Sequence, residues 1–170
     1  MAGHNKWTQI KHQKGIADKK RGLIFSKVLK AVSVAARDEP NPQFNLRLRT
    51  LIEKAKDANV PQENINRAIQ KTKEAESLEE LVIEAYGPGG IALIIEAITD
   101  SRNRTVAEIK HLLTENEAKI AEPGSVRWAF EGDKPKFPQE AGEQDRIKIE
   151  KLIQKLNDRD DVQGIITNLK

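Results

Sequence analysis

"LVIEAYGPGGIALIIEAI", residues 81–98, decides the fold. Two runs rich in β-branched and apolar residues flank a Gly-Pro-Gly-Gly tetrad. Glycine reaches positive φ at little cost and Pro88 presets a turn, so the stretch predicts a β-hairpin. A glycine-rich loop can also cradle a phosphate, but a P-loop runs on into Gly-Lys-Ser/Thr and a helix. Here a strand follows, and the turn reading stands.

Downstream, "TVAEIKHLLTEN" (105–116) has a helical period with Val106, Ile109, Leu112 and Leu113 on one face. Thr105 with Glu108 three residues later reads as a capping box. "SVRWAF" (125–130) reads as a further strand, with Trp128 in or over the sheet core rather than a platform for a base. "EGDKPKFPQEAGEQ" (131–144) reads as a loop. A helix over about 145–156 carries Ile147, Ile149, Leu152, Ile153 and Leu156, and "DVQGIITNL" closes as a last strand. The order β-β-α-β-α-β predicts an α+β domain: an antiparallel or mixed sheet of ferredoxin-like character with helices on one face.

Upstream, the acidic "KEAESLEE" (73–80) marks a domain boundary, giving a helical domain over 17–75 and the α+β domain over 76–170. Helices are predicted over about 17–37, 43–58 and 61–73, separated by "DEPNP" and "NVP", where proline stops or starts them. Ile24, Val28, Ala31, Val32 and Ala35 form the apolar face of the first, with Lys19, Ser26, Lys30, Ser33 and Arg37 along the opposite face. Phe44, Leu48, Leu51, Ile52 and Ala55 face inward from the second, and Ile65, Ala68 and Ile69 from the third. Short links between three such helices predict a small bundle. Residues 1–16 have neither helical nor strand period and read as a flexible basic arm.

Charge divides the chain more sharply than its net +3 suggests. Residues 1–73 hold 16 Lys/Arg against 6 Asp/Glu, and residues 74–170 hold 13 against 20. A basic front half on an acidic body points to a polyanion partner. In the arm, Lys6, Lys11 and Lys14 supply phosphate attraction, while Trp7 and His12 can stack on bases; Trp7 either latches the arm to the bundle or stacks. Lys19, Lys20, Arg21, Lys27, Lys30 and Arg37 extend the basic surface along the first helix, and Arg47 and Arg49 along the second. In "TDSRNRT" (99–105), Arg102 and Arg104 stand at a helix N-terminus, where an anion is favoured. They either meet a phosphate, pair with Asp100 or Glu108, or cover the sheet edge.

Other classes find no support in the sequence. Cysteine is absent, so disulfides and thiolate metal sites are excluded. No apolar run nears the roughly 18 residues of a membrane span, and no apolar h-region follows the basic start. A cytoplasmic protein is expected. His4, His12 and His111 are too scattered for a metal site, and no nucleophile–base or paired-carboxylate pattern signals catalysis. No catalytic residue, cofactor, metal or small-molecule substrate is therefore expected.

Several long segments resemble one family. "MAGHNKWTQIKHQKGIADKKRGLIFSKV" (1–28) is similar to the opening of the YebC/PmpR family. The segments 45–71, 84–130 and "DDVQGIITNL" (160–169) resemble its later blocks in the same order. The resemblance implies a cytoplasmic, non-enzymatic nucleic-acid-binding protein. Family members are described as DNA-binding transcriptional regulators; a mitochondrial relative is a translational activator, and some bacterial relatives act on stalled ribosomes. The implied partner is DNA and/or ribosomal RNA, with the ribosome itself among the candidates. Family members usually carry a further α+β lobe after the "SVRWAF"-like segment. Here residues 131–146 bridge that place directly, so a shortened member is expected.

Overall fold

A computed structural model describes the backbone of residues 2–170 and the side chains from Lys14 onward, Thr72 excepted. The chain divides into two compact units, Met1–Ala75 and Glu76–Lys170.

The first unit is helical: α1 (Ala2–Ala36), α2 (Leu46–Asp57), α3 (Gln62–Gln70) and the single turn α4 (Thr72–Ala75). α1 starts at Ala2, not near Ala17, so helix runs through the stretch expected to lack regular structure. A periodicity test detects only helices with an apolar face. Residues 2–16 hold no proline to break a helix, but Gly3, Gly15 and the lack of an apolar face leave no local signal for one. Asn45 joins α1 to α2. Its side-chain oxygen accepts from Leu48 N at 2.9 Å, and its amide donates to Ala35 O and Glu39 O at 2.7 and 2.8 Å. A capping side chain of this kind is worth about 1 kcal/mol. α2 ends in a Schellman motif: Asn59 takes φ +61° and Val60 N donates to Ala55 O at 3.0 Å.

Val32, Ala35, Ala36, Leu48 and Ala68 form one core cluster, and Val28, Ala55, Val60 and Ile65 a second beside it. Two residues assigned inward do not join them. Ile24 is exposed because α1 enters the core only from Phe25 and Val28 onward. Phe44, 76% exposed, lies before α2 in a turn closed by its own N–H on Asn41 O.

The second unit is α+β. Strands β1 (Glu79–Tyr86), β2 (Ala92–Thr99), β3 (Lys119–Ile120) and β6 (Val162–Thr167) form an antiparallel sheet in the order β3-β1-β2-β6. The hairpin forms as the sequence predicts, with Gly89 and Gly90 at φ +70° and +75° in the turn. Alternation then sorts the side chains. Ile83, Ala85, Leu93 and Ile95 pack on α5 (Arg102–Glu115) and α6 (Glu143–Asn157) through Ile109, Leu113, Leu152 and Leu156. On the other face Ala92 and Ile94 meet Val126, Ala129 and Phe130.

Three local expectations are corrected. "SVRWAF" is mostly a 3-10 turn (Arg127–Ala129) leading into β4 (Phe130–Glu131), which pairs with β5 (Lys134–Pro135) inside the expected loop. Trp128, on that turn, is 61% exposed and outside the sheet core. Thr105 does not cap α5. The helix starts at Arg102 after Ser101, and the buried Thr105 hydroxyl donates to Asp161 at 2.7 Å.

Candidate nucleic-acid interface

The cations predicted to bind a polyanion meet different fates. Lys6, Trp7, Lys11 and His12 lie outside the described side chains. From Lys14 to Gly22, α1 is exposed at every residue. Lys14, Lys19, Lys20 and Arg21 stand in this segment, and at 3.6 residues per turn they point around its circumference rather than along one stripe. None of the four takes part in an ion pair among the described residues. Asp18 is the one acid in this stretch. A helix with no apolar face and several cations is held by its own hydrogen bonds and leaves its charge to solvent or to a ligand.

Further along, the expected stripe closes up. Lys27 and Lys30 are half-buried. Ser33 Oγ donates to Ala68 O at 3.0 Å, and Arg37 donates to Ala75 O at 3.3 Å. Ser33 and Arg37 thus reach α3 and α4, although Arg37 stays exposed, and the small buried residues from Ala31 to Ala36 seat this end of α1 in the bundle. On α2, Arg47 and Arg49 are exposed. Arg49 and Lys56 line a cavity of about 320 Å3 between α2 and α3, together with Ile52, Ile69, Gln62, Asn66 and the carboxylate of Glu53. That cavity joins donors, acceptors and apolar wall on the same unit as the exposed basic helix.

In the second unit, Arg102 and Arg104 turn toward their own carboxylates. Arg102 meets Glu79 at 2.9 Å, and Arg104 meets Asp100 at 2.8 Å and Asp161 at 3.1 Å. The bonds to Asp161 and Asp100 hold the Arg104 guanidinium even more firmly protonated than usual. Glu108, the other foreseen partner, pairs instead with Arg159. At the hairpin turn the Asp145 carboxylate stands within 3.1 Å of where a Cβ on Gly89 would lie. A carboxylate there opposes a phosphate, in keeping with a plain turn. His111 is exposed, 3.3 Å from Glu115. Among the described residues no group of His, Cys, Asp and Glu is arranged to hold a metal ion, and no helix is long and apolar enough to cross a membrane.

Two features escaped the sequence reading. Glu84, in the middle of β1, is buried and accepts from Gly124 N at 2.6 Å, Val126 N at 2.7 Å and Arg127 N at 3.2 Å. Burial pushes its carboxyl up, but those three backbone donors and the Arg127 charge outweigh it and hold the group below its ordinary value. Glu84 thereby fixes the turn that carries Trp128. The available signal was an acid among β-branched residues at a position that alternation sends to the face opposite α5 and α6. The second feature is the pairing of Trp128 with Phe137, whose ring centroids are 5.7 Å apart.

Comparison with known proteins places these observations. Residues 5–75 match the TACO1/YebC protein N-terminal domain, and residues 78–134 match the TACO1/YebC second and third domain. A probable transcriptional regulatory protein from Trichlorobacter lovleyi is 50% identical over 135 residues, covering 77% of this chain and 55% of the relative. One of the same description from Desulfosudis oleivorans is 42% identical over 180 aligned positions, covering all of this chain and 72% of the relative. The crystal structure of a conserved hypothetical protein from Aquifex aeolicus superposes with a TM-score of 0.82 at 31% identity, covering 89% of this chain and 90% of that one. The chain belongs to the TACO1/YebC family. It spans about half the length of most of the curated relatives it matches.

Proposed function

We propose that this protein is a transcriptional regulator that binds duplex DNA through the exposed basic segment of α1, without enzymatic activity and in the cytoplasm. The carrying observation is that segment: Lys14, Lys19, Lys20 and Arg21 on a helix exposed at every residue from Lys14 to Gly22. The B-DNA major groove admits an α-helix, and cations spread around a helix can meet phosphates on both walls of a groove. Arg47, Arg49 and Lys56 add charge on α2. The arm residues Lys6, Trp7, Lys11 and His12 belong to the same proposed surface, as do Lys27, Lys30 and Arg37 at its inner margin. Arg102 and Arg104, engaged by carboxylates, stand apart from it. The names of the relatives support a regulatory role. We read the chain as a shortened member: the second family match stops at residue 134, and only short β4 and β5 and a link to α6 follow "SVRWAF". Crosslinking in cells, followed by sequencing of the recovered nucleic acid, tests the proposal. Recovery of genomic DNA fragments is expected; recovery of ribosomal RNA alone would refute it in favour of a ribosome-bound translation factor.

A further inference from the structure

Trp128 and Phe137 are 61% and 51% exposed, lie 5.7 Å apart between ring centroids and are inclined at 44°. Both are held from behind. Trp128 sits on the 3-10 turn whose Val126 and Arg127 N–H groups donate to Glu84. Phe137 O accepts from the buried Asn168 amide at 3.1 Å, while Lys136 N donates to Ala129 O at 2.8 Å. Exposed rings on a fixed backbone leave only their own side-chain torsions to be ordered when a partner arrives. Cations accompany them: Lys136 Nζ lies 5.7 Å from the Phe137 centroid, Lys134 is exposed on the same segment, and Arg127 is exposed with its Nε 4.0 Å from the Glu84 carboxylate, a long contact that leaves the guanidinium open to solvent. Glu131, opposite Lys134 in the small hairpin, and Asp133 at its tip offset part of that charge. Residues 127–137 still carry three Lys/Arg against two acids, in a unit holding 13 against 19. The aromatic patch thus lies on a locally basic segment of an acidic body.

We propose that Trp128 and Phe137 form a stacking platform for an unpaired base of single-stranded nucleic acid, with Arg127, Lys134 and Lys136 placed for the adjoining phosphates. Every base offers a π face to an aromatic ring, and flanking cations hold the backbone. Two rings with charged neighbours match that ligand better than a protein partner, whose interface needs a broad apolar area. The inference deepens the nucleic-acid reading above and rests on it, but it concerns a different unit and single strands rather than duplex.

The test uses the full chain with two fluorescein-labelled probes, a short oligouridine and a duplex of mixed sequence, read by polarisation. Trp128→Ala is expected to weaken oligouridine binding about tenfold, within the range for loss of one stacked base. Trp128→Tyr should restore most of it, and duplex affinity should stay unchanged. Oligouridine binding unaltered by Trp128→Ala, or an equal loss on both probes, would overturn the platform and leave duplex binding standing. Binding of oligouridine but not duplex, with the loss on Trp128→Ala, would uphold the platform and reject the duplex reading. Binding of neither probe would overturn both. Sedimentation that finds a dimer dissolved by Trp128→Ala, with oligouridine affinity unchanged, would assign the patch to self-association instead.

Discussion

Replacing Glu84 by Gln keeps the shape of the side chain and removes its charge. The carboxylate serves three backbone donors: Gly124 on one oxygen, and Val126 and Arg127 on the other. An amide can keep its oxygen on Val126 and Arg127, but then its NH2 faces Gly124 N, donor against donor. One hydrogen bond to a charged acceptor is lost and two are weakened. Bonds to charged groups contribute about 1.5–3 kcal/mol each, so a loss of about 2–3 kcal/mol is expected. For a unit of this size that lowers the melting temperature by roughly 8–24 °C. The folded-state carboxyl of Glu84 lies below its ordinary value of 4.5. Its contribution is therefore fully present above about pH 4.5 and is lost as pH falls through the folded-state value. Urea titrations of both proteins between pH 7 and pH 3, followed by circular dichroism, should show a gap that is constant near neutrality and narrows below about pH 4.5. Equal stability at pH 7, or a gap that does not change on acidification, would refute the reasoning. Because Glu84 fixes the turn bearing Trp128, Glu84→Gln should also weaken oligouridine binding under conditions where it remains folded.

Arg104→Ala should leave DNA affinity unchanged, since its guanidinium is engaged by Asp100 and Asp161; a loss comparable to that of an α1 lysine would return this residue to the interface. Leu48→Ala, at a fully buried position between α1 and α3, should cost about 2–5 kcal/mol, read as a lower urea midpoint for the helical unit. Asn59→Gly should raise that midpoint slightly, by a few tenths of a kcal/mol, because glycine occupies φ +61° without the Cβ penalty; a fall would mean that the Asn side chain contributes more than its backbone strain.

What was legible in the sequence follows from which forces leave a local pattern. The hairpin at 81–98 was legible because alternation and the glycine turn act over a few residues, and α2, α3 and α6 because their apolar faces recur at helical spacing. The first fifteen residues of α1 were not, because they carry no apolar face to detect and include two glycines. "SVRWAF" misled because β-branched and aromatic residues promise a strand. Instead the carboxylate of Glu84, some forty residues earlier, gathers Gly124, Val126 and Arg127 into a turn and leaves Trp128 outside. Arg102 and Arg104 were correctly placed at a helix start, and pairing with Asp100 was foreseen. Asp161 and Glu79 come from distant parts of the chain, and only the fold brings them within reach. The same holds for Ser33 and Arg37, whose spacing on α1 is regular but whose partners lie on α3 and α4.

The most direct test of DNA binding by α1 is the salt dependence of duplex affinity for the wild-type protein and for a variant with Lys14, Lys19, Lys20 and Arg21 all replaced by Ala. Each phosphate contact contributes about −0.9 to the slope of log affinity against log salt. If all four cations meet phosphates, the variant's slope should be shallower by about 3.6, with weaker binding on every duplex sequence tried. Parallel slopes for the two proteins, or a wild-type affinity indifferent to salt, would contradict the account.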